Sequence, residues 1–294
     1  MTTNQPIPFV KLEALGNSYI VVDPKHKKYW ARKDVVRWCS EDWGVGADGI
    51  LWGPFFDSDI APPKVVIYNS DGSTAEKSGN GLRIFSKYLW DKEIVNGNPF
   101  QILTEVGPVE SKVFKSGQIE IAMGKASIVK ELKETLTVEK NGESIMAEMT
   151  RVNIGNPHCC VFGGFPTLDS VKQWGSALEN NALFPRRTNV QFAKVLEKDK
   201  LEVQVWERGS GYTLASGSSA SAVAFAAYKR GLVHEEVTVH MPGGDLYIRI
   251  NPETDEVSLR GAVEWICDGQ WLKGELPKEE NEISDADRQF GGVE

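Results

Sequence analysis

Two serine-centred turns are the stretches of this 294-residue chain whose residue types best suit chemistry. The first is Ser78-Gly79-Asn80-Gly81, and the apolar segment Leu82 to Trp90 follows it at once. The second is Ala215-Ser216-Gly217-Ser218, and a run of small and apolar residues, Ser221 to Tyr228, comes shortly after it. Each turn predicts a loop that leads into a helix N-terminus. The free backbone N–H groups and the helix dipole favour an anion there, and the glycines let a ligand approach the main chain.

The two turns belong to a longer repeat. A Gly-Asn pair followed by a strand-like segment precedes each turn, at Gly16-Asn17 and at Gly155-Asn156. Asn17 lies 61 positions before Ser78, and Asn156 lies 60 positions before Ser216. The same order at the same spacing predicts two structurally similar halves.

The chain length is consistent with two domains, each able to bury its own core. We expect an N-terminal half over residues 1–126, completed by the last strand at about 264–276, and a C-terminal half over residues 127–263. The chain is expected to pass from the first half into the second near Gly124 to Leu132. No flexible linker is expected there, because that stretch has no Gly/Ser or Pro run. Residues 278–294 are strongly charged and predict a poorly ordered tail.

Composition and charge exclude several classes of partner. The formal net charge is −8 and the isoelectric point is near 5.3. These values argue against nucleic acid or an anionic membrane surface as a partner, while a small anion pocket remains compatible with them. No segment approaches the roughly 20 apolar residues of a membrane span, and the first residues lack the pattern of a signal peptide. The expectation is a cytoplasmic protein.

Cysteines and histidines show no metal-binding pattern. The four cysteines lack the spacing of zinc ligands or of paired disulfides, and Cys159 and Cys160 are expected to be buried, inert thiols within an apolar strand. The histidines are scattered, at His26, His158, His234 and His240. We therefore predict no metal. The run Gly44 to Gly49 has the G-x-G-x-x-G spacing, but it follows a helical pattern and precedes a strand, so it does not predict a dinucleotide site.

Strand patterns surround both predicted central helices, which are apolar on most faces. Each helix should therefore be enclosed by neighbouring strands. The predicted fold class is α+β, with two pseudo-symmetric halves that each wrap strands about one central helix. The two Ser-Gly helix N-termini are expected to meet across the interface between the halves, which is a common position for a small-ligand cleft.

The sequence resembles the diaminopimelate epimerase family over nearly its whole length. The motifs that carry this resemblance are, in order, Leu15-Gly16-Asn17, Gly46-Ala47-Asp48-Gly49, Asn69-Ser70-Asp71-Gly72-Ser73, Gly79-Asn80-Gly81-Leu82-Arg83, Gly155-Asn156-Pro157-His158, Arg187-Thr188-Asn189, Trp206-Glu207-Arg208-Gly209 and Pro242-Gly243-Gly244-Asp245. The resemblance implies two diaminopimelate-epimerase-like halves, each a curved, mostly antiparallel sheet or barrel around a central helix. It also implies a homodimer that inverts an amino-acid α-carbon without a cofactor.

The resemblance implies a role for each matching position. Side chains that would hold the ends of an amino-acid-like substrate are Asn17, Asn69, Asn80, Asn156, Asn189, Glu207 and Arg208. Backbone amides that would bind its α-carboxylate belong to Gly79, Asn80, Gly217 and Ser218. His158 and Glu207 would support the proton-transferring residues. A single asparagine is explained as well by turn formation, whereas five in family order indicate binding.

One departure from the family puts the usual reaction in doubt. The family has a cysteine in each turn, and this chain has Ser78 and Ser216 there. A serine hydroxyl is a far weaker acid than a thiol and needs an adjacent base. Three hypotheses follow. The first is an isomerase or epimerase that moves protons with serines activated by His158 and Glu207, or with those two residues directly. The second is a lyase or another proton-shifting isomerase on the same scaffold. The third is a non-catalytic amino-acid-binding homologue, or a chain in which both cysteines have been replaced.

Overall fold

The computed structural model describes residues 6–58, 60–163 and 168–272. The predicted tail, 278–294, lies outside these residues. The helices are α1 (Arg32–Cys39), α2 (Gly79–Asp91), α3 (Leu168–Glu179) and α4 (Gly217–Lys229). The first-half strands are β1 (Ile7–Ala14), β2 (Asn17–Val22), β3 (Gly49–Phe55), β4 (Lys64–Asn69), β5 (Thr74–Ala75), β6 (Phe100–Thr104), β7 (Gly107–Val113) and β8 (Ile119–Lys125).

The remaining strands run from the crossing to the end of the described chain. They are β9 (Ser127–Ile128), β10 (Glu134–Lys140), β11 (Glu143–Asn153), β12 (Pro157–Phe162), β13 (Asn189–Glu197), β14 (Lys200–Glu207), β15 (Gly211–Thr213), β16 (Glu236–Met241), β17 (Gly244–Ile250), β18 (Glu256–Gly261) and β19 (Glu264–Trp271).

The predicted doubling is present in the strand order. In the first half β1 pairs antiparallel with β2, and β2 pairs parallel with β3. Next, β3 pairs antiparallel with β4, and β4 pairs parallel with β6. The last three strands, β6, β7 and β8, pair antiparallel with one another in order. In the second half the series β11, β12, β13, β14, β16, β17 and β18 repeats the same directions. The helices α2 and α4 occupy equivalent places in the two series.

One strand pairing joins the two series, and another returns the chain to the first half. β8 pairs antiparallel with β18, so the final strands of the two series are neighbours. β19 returns to pair antiparallel with β1, as β10 does with β11 in the second half. The chain crosses between halves through β9, which pairs with β11. All strands of the described residues are therefore connected by hydrogen bonds into one mixed, mostly antiparallel sheet system.

Both central helices are enclosed, as their composition predicts. The α2 helix buries most of its first ten residues, including Leu82, Ile84 and Phe85, and α4 buries Ala220 to Ala227. Both helices contribute to one large apolar core, while α1 and α3 each cover a smaller core of their own. Burial of each central helix on nearly all faces fixes the position of its N-terminus.

The central helices begin earlier than the apolar patterns alone predict. The pattern predicts 82–90 and 221–228, and the structure has Gly79–Asp91 and Gly217–Lys229. Small polar residues have modest helix propensity, but a capping serine immediately before each glycine satisfies a free N–H and stabilises the first turn, typically by about 1 kcal/mol. The serines are therefore N-caps. The short strands β5 and β15 have no sequence signal, because pairing with β4 and β14 alone defines them.

Candidate active site

Ser78 and Ser216 cap the two central helices in the same conformation. The backbone of Ser78 is extended, and its Oγ accepts a hydrogen bond from the Gly81 N–H at 3.0 Å. Ser216 is also extended, and its Oγ accepts from the Ser219 N–H at 3.5 Å. Each hydroxyl therefore lies at the positive end of a helix dipole, where a negatively charged group is stabilised.

The first turns of the two helices are in contact. A Cβ atom placed on Gly217 would lie 3.6 Å from the Gly79 Cα and 3.7 Å from the Asn80 Oδ1. The fully buried Leu259 on β18 packs beneath both turns, because its Cδ2 would lie 3.2 Å from a Cβ on Gly79 and 3.0 Å from one on Gly217. The glycines thus let the two serine-capped helix ends approach each other closely.

Each serine hydroxyl has a different ionisable neighbour. The Tyr19 hydroxyl lies 3.3 Å from the Ser78 Oγ. The Ser216 hydroxyl is a polar neighbour of the Glu207 carboxylate and acts to lower its pKa. Burial raises the pKa of Tyr19 to about 12. Burial also raises the pKa of Glu207, aided by the charge of Asp48, while the Ser216 hydroxyl partly offsets the effect. A carboxylate that is poorly solvated in this way is a stronger base than an exposed one.

His158 is the centre of a buried polar network. Its ring is 1% exposed. Its Nε2 lies 2.8 Å from the Asn156 Oδ1, and its Nδ1 lies 3.0 Å from the Gln191 Nε2. Since an amide nitrogen can only donate, Nδ1 is the acceptor and Nε2 carries the proton. Burial lowers the pKa of His158 to about 3, and the Arg208 charge acts in the same direction.

This network defines what His158 can do. The imidazole is neutral through the physiological range, and both ring nitrogens already have amide partners. The Gln191 amide also donates to the Ser219 Oγ at 2.9 Å, so the network reaches the first turn of α4. His158 is thereby suited to orienting Asn156 and the α4 N-terminus. Of the two predicted helper residues, Glu207 is the one whose pKa is influenced by a capping serine.

The predicted asparagines have different surroundings. The Asn80 Nδ2 donates to the Asn17 Oδ1 at 3.2 Å, which brings those two side chains together. Asn189 donates to the Pro157 carbonyl at 3.0 Å and accepts from the Arg208 N–H at 3.0 Å, so it links the second Gly-Asn turn to the Glu207-Arg208 turn. The Asn69 Nδ2 donates to the Ser73 Oγ at 3.0 Å within its own turn. Turn formation, the alternative to substrate binding, therefore accounts for this asparagine.

Glu179 holds the turn that carries Glu207 and Arg208. Its buried carboxylate accepts from the Trp206 Nε1 at 2.7 Å, from the Gly209 N–H at 2.8 Å and from the Arg187 Nη1 at 3.1 Å. The Arg208 side chain is exposed, and its Nη1 donates to the Arg186 carbonyl at 3.4 Å. Its guanidinium has no carboxylate partner within the described parts of the chain. It is thus available to a ligand carboxylate.

Sequence reasoning missed three residues of this region, namely Tyr19, Glu179 and Gln191. Gln191 had a usable signal, because it is a polar residue inside the apolar strand segment Val190 to Ala193. Tyr19 and Glu179 had none, since an aromatic residue in a strand and an acidic residue at a helix end are ordinary.

The adjacent cysteines are buried thiols, and the Cys160 Sγ donates to the Gln191 Oε1 at 3.4 Å. Cys159 and Cys160 are fully buried, and burial raises the pKa of the Cys159 thiol to about 12 and that of Cys160 well above its usual value. These thiols match the predicted inert type. Over residues 6–58, 60–163 and 168–272, no group of three or more His, Cys, Asp or Glu side chains is arranged to hold a metal. No helix in the same ranges is long and apolar enough to cross a membrane.

Solved structures share this doubled fold. A hydroxyproline epimerase from Agrobacterium vitis, with bound trans-4-hydroxy-L-proline, has a TM-score of 0.68 at 11% identity, covering 90% of this chain and 91% of that chain. A PhzF-family phenazine biosynthesis protein from Bacillus anthracis has a TM-score of 0.64 at 14% identity, covering 92% and 100%. The fold therefore defines a class of two-half α+β proteins that is shared with these two structures.

Sequence comparison narrows the class to one family. The diaminopimelate epimerase family model matches residues 9–129 and 150–266. Diaminopimelate epimerase 2 of Nostoc sp. is 40% identical over 271 residues, covering 89% of this chain and 94% of that protein. The chain belongs to the diaminopimelate epimerase family, and it is an isomerase of the racemase and epimerase type.

Proposed function

We propose that this protein moves a proton at the α-carbon of an amino-acid-like substrate, without a cofactor, and that Ser78 and Ser216 serve where the family has cysteines. The observation that carries the proposal is the contact between two serine-capped helix N-termini, each serine having an ionisable neighbour. Inversion requires a base on one side of the α-carbon and an acid on the other. A serine hydroxyl at each of the two adjoining helix N-termini would fill these two roles.

The two helix N-termini supply the electrostatic part of the reaction. Backbone amides of Gly79 and Asn80 and of Gly217 and Ser218 lie in the first turns of α2 and α4. Negative charge moves onto the α-carboxylate as the α-proton leaves. Preorganised N–H groups and two helix dipoles stabilise that charge more in the transition state than in the ground state.

Glu207 compensates for the low acidity of serine. When Ser216 Oγ takes the substrate proton, its own proton passes to the Glu207 carboxylate, so no free alkoxide forms. The raised pKa of Glu207 strengthens it as the acceptor. His158, neutral and fully hydrogen-bonded, would orient Asn156 and α4 in this scheme. This division of roles favours Glu207 over His158 as the base.

The proposed substrate has two polar ends. One end would be the α-carboxylate at the helix N-termini, and the other would reach the asparagines and Arg208. Diaminopimelate is the first compound to test, because the similar relative reported above is named for it. Exchange of the substrate α-hydrogen in deuterated water, followed by proton NMR with the LL and meso isomers supplied separately, measures proton transfer directly.

Four variants make this test decisive. Glu207→Gln should lower exchange by about 100-fold to 10,000-fold, the usual contribution of a general base. Ser78→Cys with Ser216→Cys should greatly increase exchange, since thiols ionise where hydroxyls do not, and each single replacement should give less. Ammonia or water release would indicate the lyase hypothesis instead. Calorimetric binding without exchange in the parent and in the double cysteine variant would indicate a binding protein.

A further inference from the structure

Tyr19 is fixed at Ser78 by the backbone of two strands. It lies on β2, paired across the ladder with Gly49 on β3, and its side chain is 5% exposed. A Cβ atom on Gly49 would lie 2.5 Å from the Tyr19 Cε1, so the ring occupies space that only a glycine leaves free. The hydroxyl thereby reaches to 3.3 Å from the Ser78 Oγ.

The hydrogen bonds around Ser78 determine where its proton points. A serine hydroxyl has one hydrogen and two acceptor positions. The Gly81 N–H donates to one acceptor position. A buried phenol whose pKa is about 12 retains its proton at neutral pH, so Tyr19 can donate to the other position. With both acceptor positions of the Ser78 Oγ filled, its own hydrogen points away from Gly81 and Tyr19, and it can be donated to a substrate atom.

Ser216 has the opposite surroundings. Its neighbour is the Glu207 carboxylate, whose pKa it acts to lower, and an ionised carboxylate can only accept a hydrogen bond, so Glu207 is an available acceptor for the Ser216 hydrogen. The Ser219 N–H donates to one acceptor position of the Ser216 Oγ, so the remaining lone pair is then what Ser216 offers to a substrate. The two serines occupy equivalent places in the doubled fold. The neighbour of Ser78 is a hydrogen-bond donor, Tyr19, whereas the neighbour of Ser216 is an acceptor, Glu207.

We propose that Tyr19 is a positioning residue that makes Ser78 the proton donor, while Glu207 makes Ser216 the proton acceptor. This inference rests on the proposed function. The substrate Cα–H bond breaks as the proton goes to Ser216 Oγ, and the Ser216 proton goes to Glu207. The Ser78 O–H bond then breaks as a new Cα–H bond forms on the opposite side, and the Tyr19 proton moves to Ser78. Glu207 loses its proton to water, and the Tyr19 phenolate regains one from water.

The test compares inversion with exchange in Tyr19→Phe, which removes one oxygen and keeps the ring. With diaminopimelate in deuterated water, inversion should fall about 10-fold to 100-fold while KM is unchanged. This is at or below the lower end of what general acid–base catalysis contributes, because Tyr19 acts through Ser78. Exchange with retained configuration at the Ser216 side needs only Glu207, so the ratio of exchange to inversion should rise. Tyr88→Phe is the matched control. Tyr88 is 7% exposed and lies ten residues along α2, about 15 Å from Ser78.

A second measurement separates a positioning role from a packing role. A cysteine at position 78 ionises without help, so Tyr19→Phe should lose most of its effect on inversion in the Ser78→Cys background. A packing defect would persist in that background. The inference is overturned if the exchange-to-inversion ratio of Tyr19→Phe equals that of the parent or of Tyr88→Phe, or if its effect on inversion is unchanged by Ser78→Cys. A parent that exchanges no α-hydrogen overturns the proposed function, and the role of Tyr19 with it.

Discussion

The titration of His158 gives the most quantitative prediction from the structure. Burial lowers its pKa from 6.5 to about 3, and its side chain is 1% exposed. In the unfolded chain the imidazole binds a proton below pH 6.5, whereas in the folded protein it does not bind one until about pH 3. The unfolded state therefore binds more protons in this interval. The stability due to this group is complete above pH 6.5 and is lost as the pH falls.

The size of the effect follows from the shift. One proton of difference corresponds to about 1.4 kcal/mol of unfolding free energy per pH unit. Between pH 6.5 and about pH 5 the loss is therefore about 2 kcal/mol, a large part of the roughly 5–15 kcal/mol typical of a folded domain. In His158→Gln an amide replaces the imidazole, and an amide does not bind a proton in this pH range. The loss of unfolding free energy due to position 158 should therefore disappear.

Urea unfolding at a series of pH values measures the difference. The parent should lose about 2 kcal/mol more than His158→Gln between pH 7 and about pH 5, and His26→Gln, which removes an exposed histidine, should behave as the parent does. If parent and His158→Gln have the same slope within about 0.5 kcal/mol, His158 binds its proton over the same pH range in the folded protein as in the unfolded chain. It would then be available as an acid, and the preference for Glu207 would fail.

Two further predictions concern Leu259, which packs beneath the first turns of α2 and α4, and the exposed Arg208. Leu259→Ala should lower the unfolding free energy by about 2–5 kcal/mol, because it opens a cavity beneath both helix starts, and it should also reduce exchange. Leu246→Ala, at an equally buried leucine on β17, should cost similar stability with a smaller loss of exchange; equal losses would refute the special place of Leu259. Arg208→Ala should weaken carboxylate binding in calorimetry by about 1.5–3 kcal/mol, with stability within about 0.5 kcal/mol of the parent. Arg186→Ala, at a neighbouring exposed arginine, should bind normally, and unchanged affinity in Arg208→Ala would remove Arg208 from the site.

Local sequence patterns were sufficient for the doubled organisation. The Gly-Asn pairs and the Ser-Gly turns recur in order at nearly equal spacing, and the strand directions repeat in the same order. The central helices were recognisable because they are apolar on almost every face, a property that only an enclosed helix has. These features depend on residues close together in the chain, so a single sequence contains them.

Contacts between distant residues were decided by the tertiary structure. Tyr19 and Ser78 are 59 positions apart, and Gln191 and His158 are 33 apart. No local pattern predicts that a glycine on β3 makes room for the Tyr19 ring, or that Glu179 orients the turn carrying Arg208. The sequence determined which residue types are present, including two serines in place of two thiols. The tertiary structure decided that Ser78 neighbours a donor, Tyr19, and that Ser216 neighbours an acceptor, Glu207. Strand register sets the distances between these side chains, and burial sets their solvation.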